Sequence, residues 1–126
     1  MATCFVAIED RSQILAAYYT IASAGIPTLD LPAAVTKRLP RYPTIPAVRI
    51  GRLAVNLKFR GQGLGGALLA DALRRVLLSP PAAFVLLVNA QDDQAVAFYR
   101  HHRFQPLASQ PGTLFLLIDT AKDTLL

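Results

Sequence analysis

Arg52-Leu-Ala-Val-Asn-Leu-Lys-Phe-Arg-Gly-Gln-Gly-Leu-Gly-Gly66 is the stretch of sequence that decides the fold. Its first half is apolar and predicts a strand, and its second half predicts a glycine turn leading into a helix. The four glycines allow the backbone to approach a ligand closely, and a helix start offers free N–H groups and a positive dipole end. We therefore expect this turn to bind an anion such as a phosphate.

The spacing of the glycines bears on which phosphate group the turn binds. The Lys-Ser/Thr pair of a nucleoside triphosphate loop is missing, because Gly66 and Ala67 follow Gly65. A dinucleotide-binding turn stays open as an alternative, and so does a turn with a purely structural role. Arg60-Gly-Gln-Gly-Leu-Gly65 fits best an Arg/Gln-x-x-Gly-x-Gly/Ala turn that directly follows a strand.

Length and composition indicate one domain over residues 1–126. The sequence has no apolar run of about 18 residues that could span a membrane, and its first residues do not resemble a secretory signal. Cys4 is the one cysteine, and no Cys and His spacing suits a metal. We expect a protein of the reducing cytoplasm without a bound metal.

Positive charge is concentrated in the middle of the chain. Residues 31–110 carry eleven of the thirteen Lys and Arg residues against three acids, a net charge of +8 in this region. A single coenzyme needs two or three cations, so the surplus suits a polyanion such as RNA. A solvated basic surface is the alternative.

Hydrophobic patterning predicts a mixed α/β domain with an N-terminal hairpin. Tyr18 and Tyr19 point to opposite faces of its second strand, so at most one of them lies in the core. Gly25, Pro27 and Asp30 predict a loop, and residues 41–46 predict an extended connection. The predicted elements are hairpin strands 4–8 and 14–21, a helix 31–39, a central strand 48–56, a helix 64–78 that ends at Ser79-Pro80-Pro81, a buried strand 82–88, a helix 94–102 capped by Asp92 or Asp93, and a final strand 114–118. The buried stripe of helix 64–78 is predicted to be Leu64, Ala67, Leu68, Ala72 and Val76.

A second motif, Ala95-Val-Ala-Phe-Tyr-Arg-His-His-Arg-Phe104, follows the buried strand. Together with the glycine turn it resembles the GNAT acetyltransferases, which bind acetyl-coenzyme A and carry Ala-x-x-Phe-Tyr-x-x-x-Gly-Phe at this place. The resemblance implies the GNAT fold, with Tyr99 as the general acid that protonates the departing thiolate. A phenol is protonated at neutral pH, as this role requires.

The resemblance also implies the coenzyme site. Backbone N–H groups of the central strand would lie near the thioester carbonyl as an oxyanion site. The implied coenzyme-binding residues are Leu53, Ala54, Val55, Arg60, Gly61, Gln62, Gly63, Leu64, Gly65, Gly66, Asn89 and Phe98.

This sequence departs from the family pattern in two places. Arg103 stands where the family usually has glycine, so it is strained if that position needs a positive φ. The family usually has about forty helical residues before the first strand, whereas this sequence begins almost at that strand. His101 and His102 are expected to face solvent at a helix C-terminus, where positive charge is favoured.

The absence of acidic residues from the central strand indicates which amine accepts the acetyl group. Residues 48–58 contain no Asp or Glu that could deprotonate a lysine amine of pKa about 10.4, whereas an α-amine of pKa about 7.8 needs no strong base. The α-amine of an aminoacyl ester qualifies, and charged tRNA carries such an ester on a polyanion.

A closer resemblance, over nearly the whole chain, is to the GNAT toxins of bacterial toxin–antitoxin pairs. The matching segments are residues 38–43, 51–55, the glycine turn, Ala97-Phe-Tyr99 and residues 113–116. This resemblance implies acetylation of aminoacyl-tRNA, arrest of translation and a ribbon-helix-helix antitoxin as partner. A homodimer is one assembly open to the protein, and the sequence does not determine the oligomeric state. The implied tRNA contacts are Arg38, Arg41, Arg74 and Arg75.

Two other readings stay open at this point. One is an enzyme of the same fold that acetylates a small amine or a protein N-terminus. The other is a non-catalytic partner of an antitoxin that keeps the glycine turn for assembly or repression.

Overall fold

A computed structural model describes residues 3–78, 84–110 and 112–118. The elements in chain order are β1 (Thr3–Ile8), β2 (Leu15–Pro27), α1 (Ala33–Thr36), β3 (Thr44–Val55), α2 (Leu64–Leu78), β4 (Val85–Asn89), α3 (Asp93–His101), β5 (Gln105–Pro106) and β6 (Thr113–Leu117), with single 3-10 turns at Thr28–Asp30 and Leu57–Phe59. No helix in these three ranges is long and apolar enough to cross a membrane.

The strands form one six-stranded sheet in the order β1-β2-β3-β4-β6-β5. β3 and β4 are parallel and are joined through α2, while the other neighbouring pairs are antiparallel. The predicted mixed sheet with an N-terminal hairpin and a strand-turn-helix unit is therefore confirmed.

Alternating side chains give the sheet two apolar faces. On one face Tyr19, Ile50 and Val88 pack beneath α2 and α3, and we call this the α2 face. On the opposite face Ile45, Leu87 and Phe115 pack with the segment around α1, and we call this the α1 face. The α1 segment covers only the end of the sheet where β3 begins, which leaves the α1 face of β1 and β2 exposed near Val6 and Ile8.

A β-bulge in β3 opens the sheet beside the glycine turn. Ile21 pairs with Ile50 and Thr20 with Arg52, so Gly51 is an extra residue in β3. The parallel pairing of β3 with β4 ends at Ile50. Because a bulge bends and twists its strand, the last residues of β3 leave β4 and a gap forms between the two strands.

Three sequence predictions about the first half of the chain are wrong. β2 runs through Gly25 to Pro27, where a loop was predicted, because its long pairing with β3 outweighs the local turn signals. β3 begins at Thr44, inside the predicted extended connection. The predicted helix 31–39 has four α-helical residues, and the bonds of Arg38 and Leu39 to Val35 and Thr36 are of the tighter 3-10 type.

Helix α2 has the predicted bounds but a different buried stripe. Ala67 is exposed and Leu64 half-buried, whereas Leu69 and Leu73 are buried together with Leu68, Ala72 and Val76. The predicted helix stop at residues 79–81 and the first residues of strand 82–88 lie outside the described residues. The last helix and the last strand are each shifted by one residue from their predicted bounds, and the short strand β5 was not predicted.

Candidate active site

The glycine turn is open towards its surroundings and has the backbone that glycine permits. Gly61 and Gly63 have φ angles of +80° and +76°, where an L side chain is strained although nothing lies near its Cβ position. The first hydrogen bond of the helix runs from the N–H of Ala67 to the carbonyl of Gly63. The N–H groups of residues 64–66 come before it and therefore take no part in the bonding within the helix. This arrangement suits a diphosphate at the start of α2.

Asn56 fixes the chain where β3 leads into the turn. Its side-chain oxygen accepts from the N–H of Lys58, and its side-chain amide donates to the carbonyl of Leu15 on β2. Its own N–H donates to the carbonyl of Ala16. Two hydrogen bonds therefore anchor the start of the turn to β2, and a third holds the turn itself.

A cavity of about 740 Å³ lies in the gap between β3 and β4 and extends to the glycine turn. This volume falls in the range typical of small-molecule and cofactor sites. The residues that line it are Tyr18, Gly51, Arg52, Leu53, Ala54, Val55, Phe59, Arg60, Gly61, Gly63, Leu64, Gly65, Gly66, Asn89, Gln91, Asp92, Gln94, Ala95, Phe98 and Tyr99.

The β3 wall of the cavity offers backbone donors. Asn56 bonds to Ala16 on β2, and the hydrogen-bonded positions of an antiparallel pair alternate along the strand. The N–H groups of Leu53 and Val55 therefore point away from β2, towards the side that β4 has left. They lie where an oxyanion of a reacting carbonyl could be bound.

Tyr99 lies on the α3 side of the cavity, held by aromatic packing. It is 6% exposed, and its ring makes edge-to-face contacts with Phe98 and Phe104 at centroid distances of 5.2 and 5.5 Å. Burial raises the pKa of Tyr99 above that of a free phenol, so its hydroxyl is protonated at neutral pH. Among the described residues, every fully buried polar atom of a side chain has a hydrogen-bond partner. The Tyr99 hydroxyl has no such partner within this part of the chain, so it is not fully buried. Because Tyr99 lines the cavity, its hydroxyl is accessible from there.

The first turn of α2 packs on the second half of α3 through two glycines. A Cβ at Gly65 would lie 3.5 Å from the Phe98 ring, and one at Gly66 would lie 3.5 Å from the His102 ring. His102 is half-buried against Phe98, so its predicted exposure is wrong, whereas His101 is exposed as predicted. Burial, and to a smaller extent His101, lowers the pKa of His102.

The start and the end of α3 follow the sequence motif. The Asp92 side chain accepts from the N–H of Ala95 and is the N-cap, one of the two candidates predicted. Arg103 follows α3 with φ of +75°, so the position where the family usually has glycine does require a left-handed backbone here.

Asn89 ends β4 at the edge of the cavity and is held from two strands. Its side-chain oxygen accepts from Arg49 Nη1 on β3 at 2.8 Å and from the Thr113 hydroxyl on β6 at 3.3 Å. Because both contacts use the oxygen, the amide nitrogen is the group that Asn89 can offer to a ligand.

The structure brings together all but one of the residues predicted for catalysis and coenzyme binding. The exception is Gln62, which is exposed in the turn and does not line the cavity. The four arginines predicted to contact tRNA are exposed and lie elsewhere. Arg41 lines a second cavity of about 590 Å³ with Lys37 and Tyr42, and Arg75 pairs with Asp71 at 3.0 Å.

Sequence reasoning missed the cavity residues outside the two motifs, among them Tyr18, Arg52 and Gln91. Alternation placed Tyr18 and Tyr19 on opposite faces, and Tyr19 is indeed the core residue. That pattern carried no signal that Tyr18 would border a cavity, because the cavity depends on the distant bulge at Gly51.

Comparison with known proteins agrees with this geometry. Residues 34–112 match the model of the acetyltransferase (GNAT) domain. The tRNA-acetylating toxin of Mycobacterium tuberculosis (strain ATCC 25618 / H37Rv) is 34% identical over 121 residues, which cover 94% of this chain and 70% of that protein.

Two solved structures are similar over most of the chain. AtaT complexed with acetyl-methionyl-tRNAfMet has a TM-score of 0.86 at 26% identity, with 98% of this chain and 75% of that chain covered. A tyrosine-to-phenylalanine mutant of the toxin AtaT, bound to the C-terminus of the antitoxin AtaR and acetyl-CoA, has a TM-score of 0.71 at 26% identity, with 87% and 65% covered. The matched domain model spans more than half of the sequence and contains both motifs. The chain therefore belongs to the GNAT acetyltransferase family.

Proposed function

We propose that this protein transfers the acetyl group of acetyl-CoA to the α-amine of the amino acid on a charged tRNA, and thereby blocks translation. The observation that carries the proposal is the single cavity that joins the glycine turn, the backbone donors of β3 and Tyr99. The similarity to a tRNA-acetylating toxin and to AtaT with acetyl-methionyl-tRNA supports this acceptor.

The described lining of the cavity offers no free carboxylate as a base, which favours an acceptor amine of low pKa. Asp92 is the one carboxylate among the described residues that line the cavity, and it is engaged as the N-cap of α3. A lysine amine would need a base to lose its proton, whereas an α-amine is already partly neutral at pH 7. The site is therefore better suited to an α-amine than to a lysine side chain.

Acetyl-CoA supplies the activated acetyl group as a thioester. In our proposal residues 60–66 hold its diphosphate through backbone N–H groups, with Arg60, Asn89 and Phe98 as further contacts. The N–H groups of Leu53 and Val55 stabilise the negative charge that develops on the carbonyl oxygen when the amine attacks. Tyr99 gives its proton to the sulfur as the carbon–sulfur bond breaks, and the proton that the attacking nitrogen loses restores the phenol, so an amide and the free thiol leave the site.

The arginines proposed to contact tRNA lie on both sides of the sheet. Arg38 and Arg41 lie beside α1, and Arg74 and Arg75 lie on α2. The Arg75 guanidinium lies 4.1 Å from the centre of the Phe5 ring and bonds to Asp71, so we expect it to contribute less than the other three.

We further propose a ribbon-helix-helix antitoxin as partner, a homodimer as the assembly, and the cytoplasm, where charged tRNA occurs, as the place of action. The AtaT mutant toxin bound to AtaR supports an antitoxin as partner. Residues 1–126 are proposed to form one domain, since the strands described here belong to one sheet.

The test is transfer of labelled acetyl from acetyl-CoA in the presence of total charged tRNA. We expect label that remains acid-precipitable until ribonuclease is added. Uncharged tRNA should give none, and Tyr99→Phe should give label at least about a hundredfold more slowly. Arg100→Ala, a change at an exposed residue on α3 that lines neither cavity, is the control. Label on a protein N-terminus or a small amine instead of tRNA would favour an enzyme of the same fold with another acceptor. Coenzyme binding without transfer to any amine would favour a non-catalytic partner of an antitoxin.

A further inference from the structure

The gap between β3 and β4 connects the two faces of the sheet. Helix α2 packs on one face, and the glycine turn is at its start. The alternation along β2 and β3 places Tyr18 and Arg52 on the other face, because Tyr19 and Leu53 face α2. Both Tyr18 and Arg52 line the cavity, so the cavity has walls on both faces.

The ring of Tyr18 has small neighbours on the α1 face. Its direct partner on β3 is Ala54 and its partner on β1 is Val6, which is 56% exposed. Tyr18 itself is half-buried, and α1 packs at the far end of the sheet. A planar group that enters the cavity from the α1 face can therefore lie against this ring.

The charges beside Tyr18 suit a phosphate. Arg52 is exposed at the rim of the cavity, and Arg49, half-buried, bonds to Asn89 on the same face. The segments of β1, β2 and β3 next to the cavity, residues 3–8, 15–21 and 49–55, contain no acidic residue. Apolar surface with an aromatic ring and cations at its rim is the combination that binds single-stranded nucleic acid.

We propose that Tyr18 and Arg52 bind the 3′-terminal nucleotide of the acceptor RNA, with its base stacked on Tyr18 and its phosphate paired with Arg52. This inference rests on the proposed function, since the α-amine of a charged tRNA is attached to that nucleotide. An amine that reaches the β3 wall places its own nucleotide next to the cavity, and the α1 face is the side that α2 leaves free. The coenzyme diphosphate and the 3′-terminal nucleotide then occupy opposite faces of the sheet.

Arg41 and Lys37 lie farther along the same face. They line the second cavity, together with Tyr42 and Pro43, where β3 begins. The eight steps along the strand from Arg52 to Thr44 span about 26 Å at the rise of a strand. The RNA beyond its 3′ end can therefore follow the α1 face towards these cations.

A binding experiment with two RNAs tests the site without requiring catalysis. A dye-labelled minihelix, an acceptor stem with a single-stranded CCA end, is titrated with the protein and compared with the same RNA that lacks the terminal adenosine. We expect the wild type to bind the complete RNA about tenfold more tightly, the scale of one base stacked on an aromatic ring. Tyr18→Leu should abolish this preference, and Tyr18→Phe should keep it. Arg52→Ala should weaken binding of the complete RNA but not of the shortened RNA, which lacks the phosphate of the terminal nucleotide. Arg100→Ala, a change at an exposed arginine on α3, should weaken neither.

A cooperative thermal unfolding transition close to that of the wild type shows that the variants are folded. A wild type without preference for the terminal adenosine, or a full preference in Tyr18→Leu, would overturn the stacking role. Equal binding by Arg52→Ala and wild type would overturn the phosphate contact. If the protein acetylates charged tRNA but does not prefer the RNA with the terminal adenosine, the proposed function stands and this inference fails. If it prefers that RNA but does not acetylate charged tRNA, the proposed function fails and the nucleotide site stands.

Discussion

Single residues differ in how far the sequence alone defines their role. Tyr99 stands in a motif whose spacing is local to one helix, so its place at the cavity could be predicted. Arg103 could be recognised as a departure from that motif, and its φ of +75° shows the physical reason for the usual glycine. Tyr18 could be placed on a face but not at the cavity, because the cavity depends on residues more than thirty positions away.

Removal of the Tyr99 hydroxyl tests its proposed role as general acid. In Tyr99→Phe we expect kcat to fall by roughly a hundredfold to ten-thousandfold, the usual contribution of a positioned acid. The affinity for acetyl-CoA and the melting temperature should stay close to wild type, because the aromatic packing on Phe98 and Phe104 is kept. Steady-state kinetics with charged tRNA and calorimetry measure the two effects. An unchanged kcat would exclude Tyr99 as the acid.

Arg103 provides a test of backbone strain. A left-handed residue other than glycine costs about 1–2 kcal/mol, and glycine costs about 0.5–1 kcal/mol in chain entropy. Arg103→Gly should therefore raise the free energy of unfolding by about 0.5–1 kcal/mol, measured by urea denaturation. Arg103→Ala keeps the strain and is the control, so an equal gain in both variants would mean that the arginine side chain is the cause.

At the scale of elements, side-chain contacts between β2 and α2 fix the helix whose start forms the turn. The Tyr19 hydroxyl donates to Asp71, Asp71 accepts from Arg75, and Phe5 stacks on Tyr19. The sequence placed Asp71 off the buried stripe and gave no reason to pair it with a residue 52 positions earlier. A bond over that separation depends on the folded sheet and has no local pattern.

The Tyr19–Asp71 contact predicts how stability changes at alkaline pH. Burial, followed by the hydrogen bond to Asp71, raises the pKa of Tyr19 to about 12 from its usual value of 10. The stabilisation is fully present below pH 10 and is lost as the pH rises towards 12, a change of about 2–3 kcal/mol for a shift of this size. Denaturation at a series of pH values should show this loss in the wild type. Tyr19→Phe should show a smaller loss over the same range, and an equal loss would contradict the prediction.

The backbone at the bulge leaves no room for a side chain at Gly51. A Cβ at this position would lie 2.7 Å from the Thr20 hydroxyl oxygen, which also accepts from the N–H of Arg52. We expect Gly51→Ala to destabilise the protein by about 1–3 kcal/mol, as overpacked positions usually do. In the double variant with Thr20→Ala the steric part should disappear, so the two losses should not add. Additive losses in thermal unfolding would mean that the clash is not the cause.

At the scale of the whole molecule, the sequence predicted the elements that have a strong local pattern and missed those that pairing creates. Helix α2 begins as predicted because the glycines that precede it are a local signal. Gly25 and Pro27 indicate a turn locally, yet β2 continues through them because β3 supplies partners along its whole length. The gap between β3 and β4 needs the bulge, the parallel pairing and its end at Ile50 together, and no single segment contains that information.

The charge of the whole molecule predicts a strong salt dependence of RNA binding. The net charge is +5, and residues 31–110 carry +8. Each phosphate contact releases counterions, so the logarithm of the tRNA affinity should fall linearly with the logarithm of the salt concentration. Replacing one cation that contacts phosphate should reduce that slope by about 1, so Arg38→Ala with Arg41→Ala should reduce it by about 2. Fluorescence titration of tRNA at several salt concentrations measures the slope, with Arg100→Ala as the control. A double variant with the wild-type slope would show that the RNA does not follow the α1 face to these arginines, and the RNA path would then have to lie on the side of α2.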